Sequence, residues 1–273
     1  MAKEKILIAV KTYPTISEKY AELTCTAGFR EDGSWIRLYP VPFRFLEQEK
    51  RYKKYQWIEA DLAARRKQDP RPESYRVSDI DTIKILGEIG TARDWEDRRK
   101  LILGNNKVYT NLKELIGLAH QNKLSLAVYK PTEIIEFVAE AVDPEWPKEK
   151  IDKVFEHLRQ ENLFQDKDAE DFKFMPKLPY KFSYRFKDQD GTVRKLMIED
   201  WEVGQLYLNS VKHYGADKAV AKVREMYFDN FANTKDLYFF LGTTYVHHVR
   251  KAKNPFVIIG AFYPPYSKQP SLF

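Results

Sequence analysis

Hydrophobic and polar residues alternate along several segments of the chain, a pattern that predicts β-strands with one buried face. The alternation is unbroken over eight residues in YKFSYRFK, residues 180–187. Four aromatic side chains fall on one face, and Lys181, Ser183, Arg185 and Lys187 fall on the other. We predict a hairpin here, with an aromatic core face and a cationic outer face. That outer face either follows a phosphodiester backbone or is the solvated, lysine-rich edge of a sheet.

Another hairpin is predicted in CTAGFREDGSWIRLYPVPFR, residues 25–44, because Asp-Gly at 32–33 is typical of a two-residue turn. This turn would pair Arg30 with Trp35 and Gly28 with Arg37. One face then carries only apolar residues and is expected in the core: Leu23, Cys25, Ala27, Phe29, Ile36 and Leu38. The other face carries small, cationic and aromatic residues: Thr24, Thr26, Gly28, Arg30, Trp35, Arg37 and Tyr39.

This cationic and aromatic face has two interpretations. As an open trough, walled by Trp35, Arg37 and Tyr39, it could stack a base or ribose and reach a phosphate. Alternatively, another element covers the face and carboxylates neutralise the arginines, because aromatic side chains are usually packed. Cys25 lies on the apolar face and is therefore expected to be a buried, unreactive thiol.

The remaining periodicities predict helices as well as strands. Apolar residues follow helical spacing near residues 147–158, 201–213 and 216–231, and two strand-like runs, DLYFFLGTTYVHHV and NPFVIIGAFYPP, follow. Each half holds one Asp-Gly hairpin and helical segments, so we predict an α+β fold of two mostly antiparallel, hairpin-centred β-units with packed helices. The polar segment 159–175 is the candidate linker between units 1–158 and 176–273, although a single integrated domain remains open.

The charge balance favours a polyanionic partner. Lysine and arginine number 46 against 40 acidic residues, which gives a net charge of +6 and a pI near 9.0. The loop RRKQDPRPESYR concentrates cations that would contact phosphates, at Arg65, Arg66, Arg71 and Arg76. A single cysteine excludes an intramolecular disulfide, and no segment has the apolar length of a signal peptide or a membrane span. We therefore expect a cytoplasmic protein without a membrane partner.

Catalytic motifs are sparse. Asp200 and Glu202, with Lys195 nearby, are the candidate catalytic residues, because converging carboxylates and a lysine suit Mg²⁺-dependent phosphodiester cleavage. Alternatively, these carboxylates occupy the N-terminus of a helix. No His and Cys metal site is predicted, and neither a glycine-rich phosphate loop nor a G-x-S-x-G segment occurs. Whether the protein is an enzyme stays open; its cofactor is unknown, and Mg²⁺ is expected only with the enzymatic alternative.

Several segments together resemble a little-characterised group of bacterial and archaeal proteins: GSWIRLYPVPFR, LPYKFSYRFKDQDG, IEDWEVGQLY, and DLYFFLGTT with NPFVIIGAFYPP. Some members are encoded near DNA restriction or defence functions, so the resemblance implies a prokaryotic, defence-associated role. Related sequences carry Cys and His around the hairpin at 180–197, which suggests a metal there. This chain has FKDQDGTVRKL instead, with neither residue, which puts such a metal in doubt. The group offers no established activity from which catalytic residues could be transferred.

These features together favour a nucleic-acid-binding protein that uses basic and aromatic sheet faces. Aromatic rings would stack bases while cations hold the backbone, which favours single strands or opened duplex, of DNA or RNA. The predicted contact residues are Arg30, Trp35, Arg37, Tyr39, Arg65, Arg66, Arg71, Arg76, Lys181, Arg185 and Lys187. Two alternatives remain: a Mg²⁺-dependent nuclease or nucleotide-processing enzyme, and a subunit whose aromatic faces bind a protein partner.

Overall fold

Two β-structures pack against each other in the computed structural model, one built from residues 2–88 and one from residues 108–262. The structure describes residues 2–17, 21–63, 69–160 and 174–266. Its combination of helices and mainly antiparallel strands confirms the predicted α+β class. The candidate linker 159–175 lies largely outside the described residues, and the strands on its two sides pair with each other.

The first β-structure is a closed barrel. Its sheet contains β1 Ala2–Lys11, β2 Thr15–Ser17, β3 Ala21–Arg30, β4 Trp35–Val41, β5 Gln56–Ala63, β6 Ser74–Val77 and β7 Lys84–Glu88. Five of these strands form a ring in the order β1-β3-β4-β6-β5, which closes because β5 pairs back with β1. Within the ring only β4 and β6 are parallel. This connectivity is that of the OB-fold, a small five-stranded Greek-key barrel.

Aliphatic side chains fill the barrel, and they come mainly from β1, β4 and β5: Ile6, Ile8, Ile36, Leu38, Ile58, Ala60 and Leu62. The inner face of β3 is built from small residues, including Thr26 and Gly28. The ring of Tyr52 enters the interior, and its hydroxyl shares a 2.7 Å hydrogen bond with the Thr26 hydroxyl. Small residues on one strand therefore leave room for a large side chain from a neighbouring loop.

The second β-structure has two sheets and most of the helices. One sheet contains β8 Val108–Tyr109, β9 Leu126–Tyr129, β13 Tyr238–Thr243 and β14 Phe256–Phe262, and the other contains β10 Glu133–Ala141, β11 Tyr180–Lys187 and β12 Val193–Met197. The helices are α1 Ala92–Ile102, α2 Leu112–His120, α3 Lys148–Gln160, α4 Trp201–Tyr214, α5 Ala216–Arg224 with a π-helical continuation Glu225–Ala232, and α6 Tyr245–Val249. Among the described helices, none combines the length and apolarity needed to cross a membrane.

A shared apolar core joins the barrel to the second β-structure. The barrel contributes outward-facing residues of β1 and β3: Leu7, Ala9, Ala27 and Phe29. The second β-structure contributes residues of β9, β13 and β14: Leu126, Val128, Phe240, Val257, Ile259 and Phe262. The Trp35 ring lies 4.1 Å from Phe29 and 5.3 Å from Phe240, measured between ring centroids. Part of the outer face of β3 and β4 is therefore covered.

The predicted hairpin of β3 and β4 is present, but its predicted register is wrong by one residue. The observed partners are Phe29 with Trp35 and Ala27 with Arg37. The connection has three residues: the Gly33 amide donates to the Arg30 carbonyl, and Gly33 has a φ of +81°. A type I turn followed by a left-handed glycine adds one residue to the loop. Because side chains alternate, this single residue changes which side chains share a face.

The register correction reverses the predicted environment of this hairpin. Ile36 and Leu38 point into the barrel together with Thr26, whereas Trp35 and Arg37 share the outer face with Phe29. In contrast, the predicted faces of the β11 hairpin are confirmed: the aromatic side chains of Phe182, Tyr184 and Phe186 are buried, and Lys181 and Arg185 are exposed.

We predict that Gly33→Ala destabilises the protein more than Gly191→Ala. Both glycines end three-residue hairpin loops with positive φ, +81° and +78°, so each substitution costs about 1 kcal/mol for the left-handed conformation. A Cβ at Gly33 would also collide with Asn105, whereas a Cβ at Gly191 has no neighbour within 4 Å. We expect an additional loss of about 1 kcal/mol for Gly33→Ala, measured by urea unfolding. Equal losses would contradict the proposed close contact.

Candidate functional site

A cleft of about 590 Å³ lies between the barrel and the second β-structure. Its barrel side comes from the segment after β1, the outer faces of β3 and β4, and the loop before β6: Thr12, Tyr13, Pro14, Thr15, Leu23, Cys25, Arg37, Tyr39 and Arg71. Its other side is formed chiefly by α6 and the segments around β11, β12 and β14. The polar and aromatic residues on that side include Trp146, Lys177, Tyr180, Lys181, Glu199 and Tyr245. The cleft therefore depends on both halves of the chain.

Arg37 lines this cleft but is only 1% exposed, which corrects the predicted open position of its guanidinium. Its Nη1 donates to the hydroxyls of Ser74 at 3.1 Å and Ser125 at 2.6 Å, and its Nη2 donates to the Ser125 carbonyl at 3.1 Å. The Ser125 hydroxyl in turn donates to Glu73 at 2.6 Å. Among the described residues no carboxylate bonds Arg37 directly, so neutral groups satisfy most of its donors.

The charge of Arg37 is thus incompletely compensated. Its Nε has no hydrogen-bond partner in the described structure. Burial, followed by the proximity of Arg71, lowers the pKa of Arg37, yet a guanidinium stays charged near neutral pH because its usual pKa is far higher. A positive charge in a poorly hydrated place exerts a stronger field than one in water. Arg37 therefore makes the floor of the cleft electropositive.

Arg71, predicted as an open phosphate contact, is 3% exposed and paired with Asp69, with an Nη2 to Oδ2 distance of 2.7 Å. Its Nη1 donates to the Thr243 carbonyl at 3.2 Å. The guanidinium carbon lies 5.8 Å from the ring centre of Tyr39 and 5.5 Å from that of Tyr245. Arg71 therefore holds two tyrosines at the cleft in addition to contributing charge.

Two lysines provide the remaining positive charge of the cleft. Lys181 is exposed and, in the part of the chain that the structure describes, forms no ion pair. The Lys177 ammonium donates to the Glu145 carbonyl at 3.0 Å and contacts no described carboxylate. The aromatic rings of Tyr180 and Trp146 line the same region. Free ammonium groups beside aromatic rings are the combination that binds phosphates and bases.

Glu199 is the one acidic residue among the described residues that line the cleft. Its backbone is fixed on both sides, because its amide donates to Ile258 and its carbonyl accepts from Tyr13, each at 2.8 Å. Its carboxylate has no hydrogen bond or ion pair to the described residues, and burial raises its pKa. Glu199 is thus an acceptor without a partner among the described residues, in a cleft that four cations also line.

Cys25 also lines the cleft and is half-buried, which corrects its predicted place in the core. Cys25 shares the outward side of β3 with Ala27 and Phe29, which are buried in the shared core, but it lies nearer the start of the strand, where the cleft opens.

Other predicted contact residues have different surroundings. Arg30 pairs with Glu4 at 3.1 Å, and Trp35 is packed in the shared core. Arg76 is exposed, without an ion pair to a described residue and away from the residues that line the cleft. Arg65 and Arg66 lie outside the described residues. The loop that contains them nevertheless reaches the cleft through Arg71.

The cationic outer face of β11 is largely neutralised by β10. Arg185 pairs with Glu136 and Lys187 pairs with Glu133, each at 2.6 Å. On β12, Lys195 pairs with Glu140 at the same distance. The predicted stripe is exposed, but carboxylates of the neighbouring strand oppose its charge, except at Lys181.

The candidate catalytic residues do not form a metal site in the described structure. Asp200 caps α4, with its Oδ1 accepting from the Glu202 amide at 3.2 Å, and Glu202 pairs with Lys54 at 2.8 Å. Lys195 belongs to the outer face of β12. No group of three or more described His, Cys, Asp or Glu side chains is arranged to hold a metal. The alternative prediction of a helix N-terminus is confirmed for Asp200.

Asp200 and Glu202 instead line a small pocket of about 180 Å³ with Lys11, Lys53 and Lys54. Burial raises the pKa of Asp200 to about 7, although Lys54 opposes this shift, and the Asp200 Oδ2 has no partner among the described residues. Burial likewise lowers the pKa of Lys11 to about 8. The pocket is therefore a cluster of ionisable groups in which three lysines meet two carboxyl groups.

Sequence patterns did not identify the cleft residues Trp146, Lys177, Tyr180 and Glu199 as a group. They come from separate segments, and only the packing of the barrel against the second β-structure brings them together. Of the predicted contact residues, Arg37 and Tyr39 of the first hairpin, Arg71 of the basic loop before β6 and Lys181 of β11 do line the cleft. A barrel topology recognised from the five strands would also have indicated the face of β3 and β4.

We predict that Arg37→Lys lowers the free energy of unfolding by about 2–4 kcal/mol, because the single nitrogen of an ammonium cannot reproduce the bonds of Nη1 to the Ser74 and Ser125 hydroxyls together with the bond of Nη2 to the Ser125 carbonyl. Arg185→Lys is the matched control: its pair with Glu136 is exposed, so its effect should stay within about 1 kcal/mol. Urea unfolding measures both variants. Similar small effects would mean that Arg37 does not hold the two halves together.

We predict that Asp200→Asn changes the pH dependence of stability. A folded-state pKa near 7, above the usual 3.8, means that the folded protein keeps this proton while the unfolded chain loses it. Stability from this group is thus complete below about pH 4 and falls as the pH rises toward 7. Asparagine retains the helix cap but cannot ionise. Its stability relative to the unmodified protein should therefore increase between pH 5 and 7.5, and a constant difference would contradict the assignment.

Comparison with solved structures includes a weak similarity to a DNA-binding protein. The structure of a murine DNA-binding protein bound to double-stranded DNA aligns with 99% of this chain and 100% of its own, with 8% identity and a TM-score of 0.29. That score is too low to support an argument about fold or function. No curated protein matches the sequence.

Two family models cover the chain almost completely. The model described as "Domain of unknown function (DUF8758)" matches residues 2–104, which contain the barrel and α1. The other begins at β8 and extends to residue 273. The prokaryotic and defence-associated role stays a prediction. The chain belongs to the family described as "Domain of unknown function (DUF8757)", whose model matches residues 108–273, more than half of its length.

Proposed function

We propose that this protein binds nucleic acid in the cleft between the barrel and the second β-structure. The observation that carries the proposal is the composition of the cleft: among the described residues that line it, Arg37, Lys177 and Lys181 have no carboxylate partner, Arg71 is paired with Asp69, and Glu199 is the single acidic residue. A polyanion gains from such a surplus of cations. Aromatic rings beside the cations favour a ligand that has flat bases as well as phosphates.

The position of the cleft on the barrel supports the same function by analogy. OB-fold barrels bind oligonucleotides or oligosaccharides on the face of their second and third strands, with the loops after the first and fourth strands. Here these elements are β3 and β4 and the loops that contribute Tyr13 and Arg71, and all of them line the cleft. Between the two ligand classes, the excess of cations favours the nucleic acid.

A single strand or locally opened duplex is the expected form of the ligand. The cleft is enclosed by two β-structures, and its tyrosines and tryptophan can stack only on bases that have left a duplex. A paired duplex presents its phosphates outside and its base faces inside. DNA and RNA share the chemistry that this cleft would recognise.

We predict that Lys181→Ala weakens binding to a 12-nucleotide oligothymidylate severalfold and reduces the salt dependence of log K by about one unit. Lys187→Ala is the matched control, because Lys187 lies on the same strand but pairs with Glu133 outside the cleft. Fluorescence anisotropy at two salt concentrations measures both effects. Equal losses for the two variants would indicate diffuse electrostatic attraction rather than binding in the cleft.

The single cysteine offers a direct readout of occupancy. Because Cys25 lines the cleft and no other cysteine is present, we expect bound oligonucleotide to slow its modification by a maleimide reagent severalfold. Lys181→Ala should reduce this protection at a fixed oligonucleotide concentration. Unchanged modification rates at saturating oligonucleotide would contradict binding at this site.

A further inference from the structure

We propose that the cleft encloses one nucleotide of the bound strand and that Glu199 reads its base, with guanine preferred; this inference rests on the proposed function. The cleft volume of about 590 Å³ falls in the range of pockets that hold one small molecule, about 300–1,000 Å³. A groove that followed several nucleotides would continue across the surface. The limited volume of the cleft favours a single nucleotide whose neighbours remain outside.

The charge distribution suggests separate places for the phosphate and the base. Lys181 is exposed at the cleft and free of ion pairs among the described residues, so it is available to a phosphate of the strand. The donors of Arg37, except Nε, are occupied by Ser74, Ser125 and Thr243. Arg37 would therefore attract the ligand through its positive charge and not through direct hydrogen bonds. The phosphate is therefore expected beside the lysines and the base farther in.

Glu199 would oppose a phosphate but suits a base. An ionised carboxylate only accepts hydrogen bonds, and its two oxygens can accept from two adjacent N–H groups. The Watson–Crick edge of guanine offers such a pair, at N1 and N2, whereas thymine and uracil offer one N–H between two carbonyl oxygens. Because no described residue bonds the Glu199 carboxylate and burial disfavours its charge, a ligand that donates two hydrogen bonds would stabilise it.

Aromatic residues complete a site for the base. Tyr39 belongs to the barrel side of the cleft, and Tyr180 and Trp146 belong to the other side. Arg71 contacts the Tyr39 ring, and Tyr180 packs against Tyr207 with ring centres 5.7 Å apart. Rings held in this way lose little conformational freedom when a base stacks on them.

The test compares 12-nucleotide oligothymidylates that carry one central guanine, adenine or cytosine with the all-thymine strand. We expect the guanine strand to bind at least about tenfold more tightly than the all-thymine strand, as for hydrogen bonds to a charged group. Glu199→Gln, which keeps the size but presents only one acceptor, should abolish most of this preference. Its affinity for the all-thymine strand should not fall, because the substitution removes a negative charge from the cleft, and its melting temperature should not fall, because burial disfavours the charge of Glu199.

Additional ligands identify the source of the nucleotide. A duplex with guanine opposite an abasic site should bind more tightly than the fully paired duplex, because less stacking and pairing is lost when the base leaves the helix. Free dGMP should bind much more weakly than the guanine strand. If dGMP binds, with an affinity that falls in Glu199→Gln, while no strand binds, the cleft is a site for free nucleotides and the nucleic-acid function is overturned.

The inference and the proposed function fail in different ways. If all oligonucleotides bind equally, depend on Lys181 and protect Cys25, nucleic-acid binding stands and base reading by Glu199 is refuted. The same refutation follows if a guanine preference persists in Glu199→Gln. If neither strands nor dGMP bind, both proposals are wrong.

Discussion

The structure depends on one buried guanidinium. Arg37, from β4, bonds Ser74 at the start of β6 and Ser125 just before β9, and its longest contact reaches the Thr243 carbonyl at the end of β13, at 3.5 Å. These partners belong to the barrel and to the second β-structure. A buried charge is costly unless its hydrogen bonds are satisfied, so the geometry of this side chain constrains the relative position of the two halves, which the shared apolar core also holds together. The same contacts shape the cleft beside Arg37.

A three-residue loop decides which side of β4 carries Arg37. With two residues between the strands, the arginine would share a face with Gly28; with Gly33 as a third loop residue, it lies opposite Ala27, on the outer face. The outer face is the one that the second β-structure covers. The backbone conformation of Gly33 therefore determines that Ile36 and Leu38 point into the barrel. It also determines that Arg37 points outward, where it bonds Ser74 and Ser125.

The two hairpins explain how far the sequence could predict this protein. In the β11 hairpin, aromatic residues occupy every second position and therefore predict one buried face, which the structure confirms. In the β3 hairpin both faces contain apolar residues, because one lines the barrel and the other packs against a distant part of the chain. Periodicity alone does not distinguish these faces. The acidic partners of Arg185 and Lys187 lie on β10, more than 40 residues away in sequence. The neutralisation of the cationic stripe could therefore not be predicted without knowing the order of the strands in the sheet.

The ion pairs show which basic residues have an acidic partner, which the net charge of +6 does not. On the outer face of the three-stranded sheet, each of Arg185, Lys187 and Lys195 has a glutamate on β10 within 2.6 Å. Exposed pairs of this kind cancel the field beyond a few ångströms, and salt screens the remainder. At the cleft, in contrast, Arg37, Lys177 and Lys181 have no carboxylate partner among the described residues, and screening is weaker there because two β-structures limit the access of water. A basic strand that is visible in the sequence is thus a poor guide to polyanion binding, because the fold can bring glutamates of another strand against its cations.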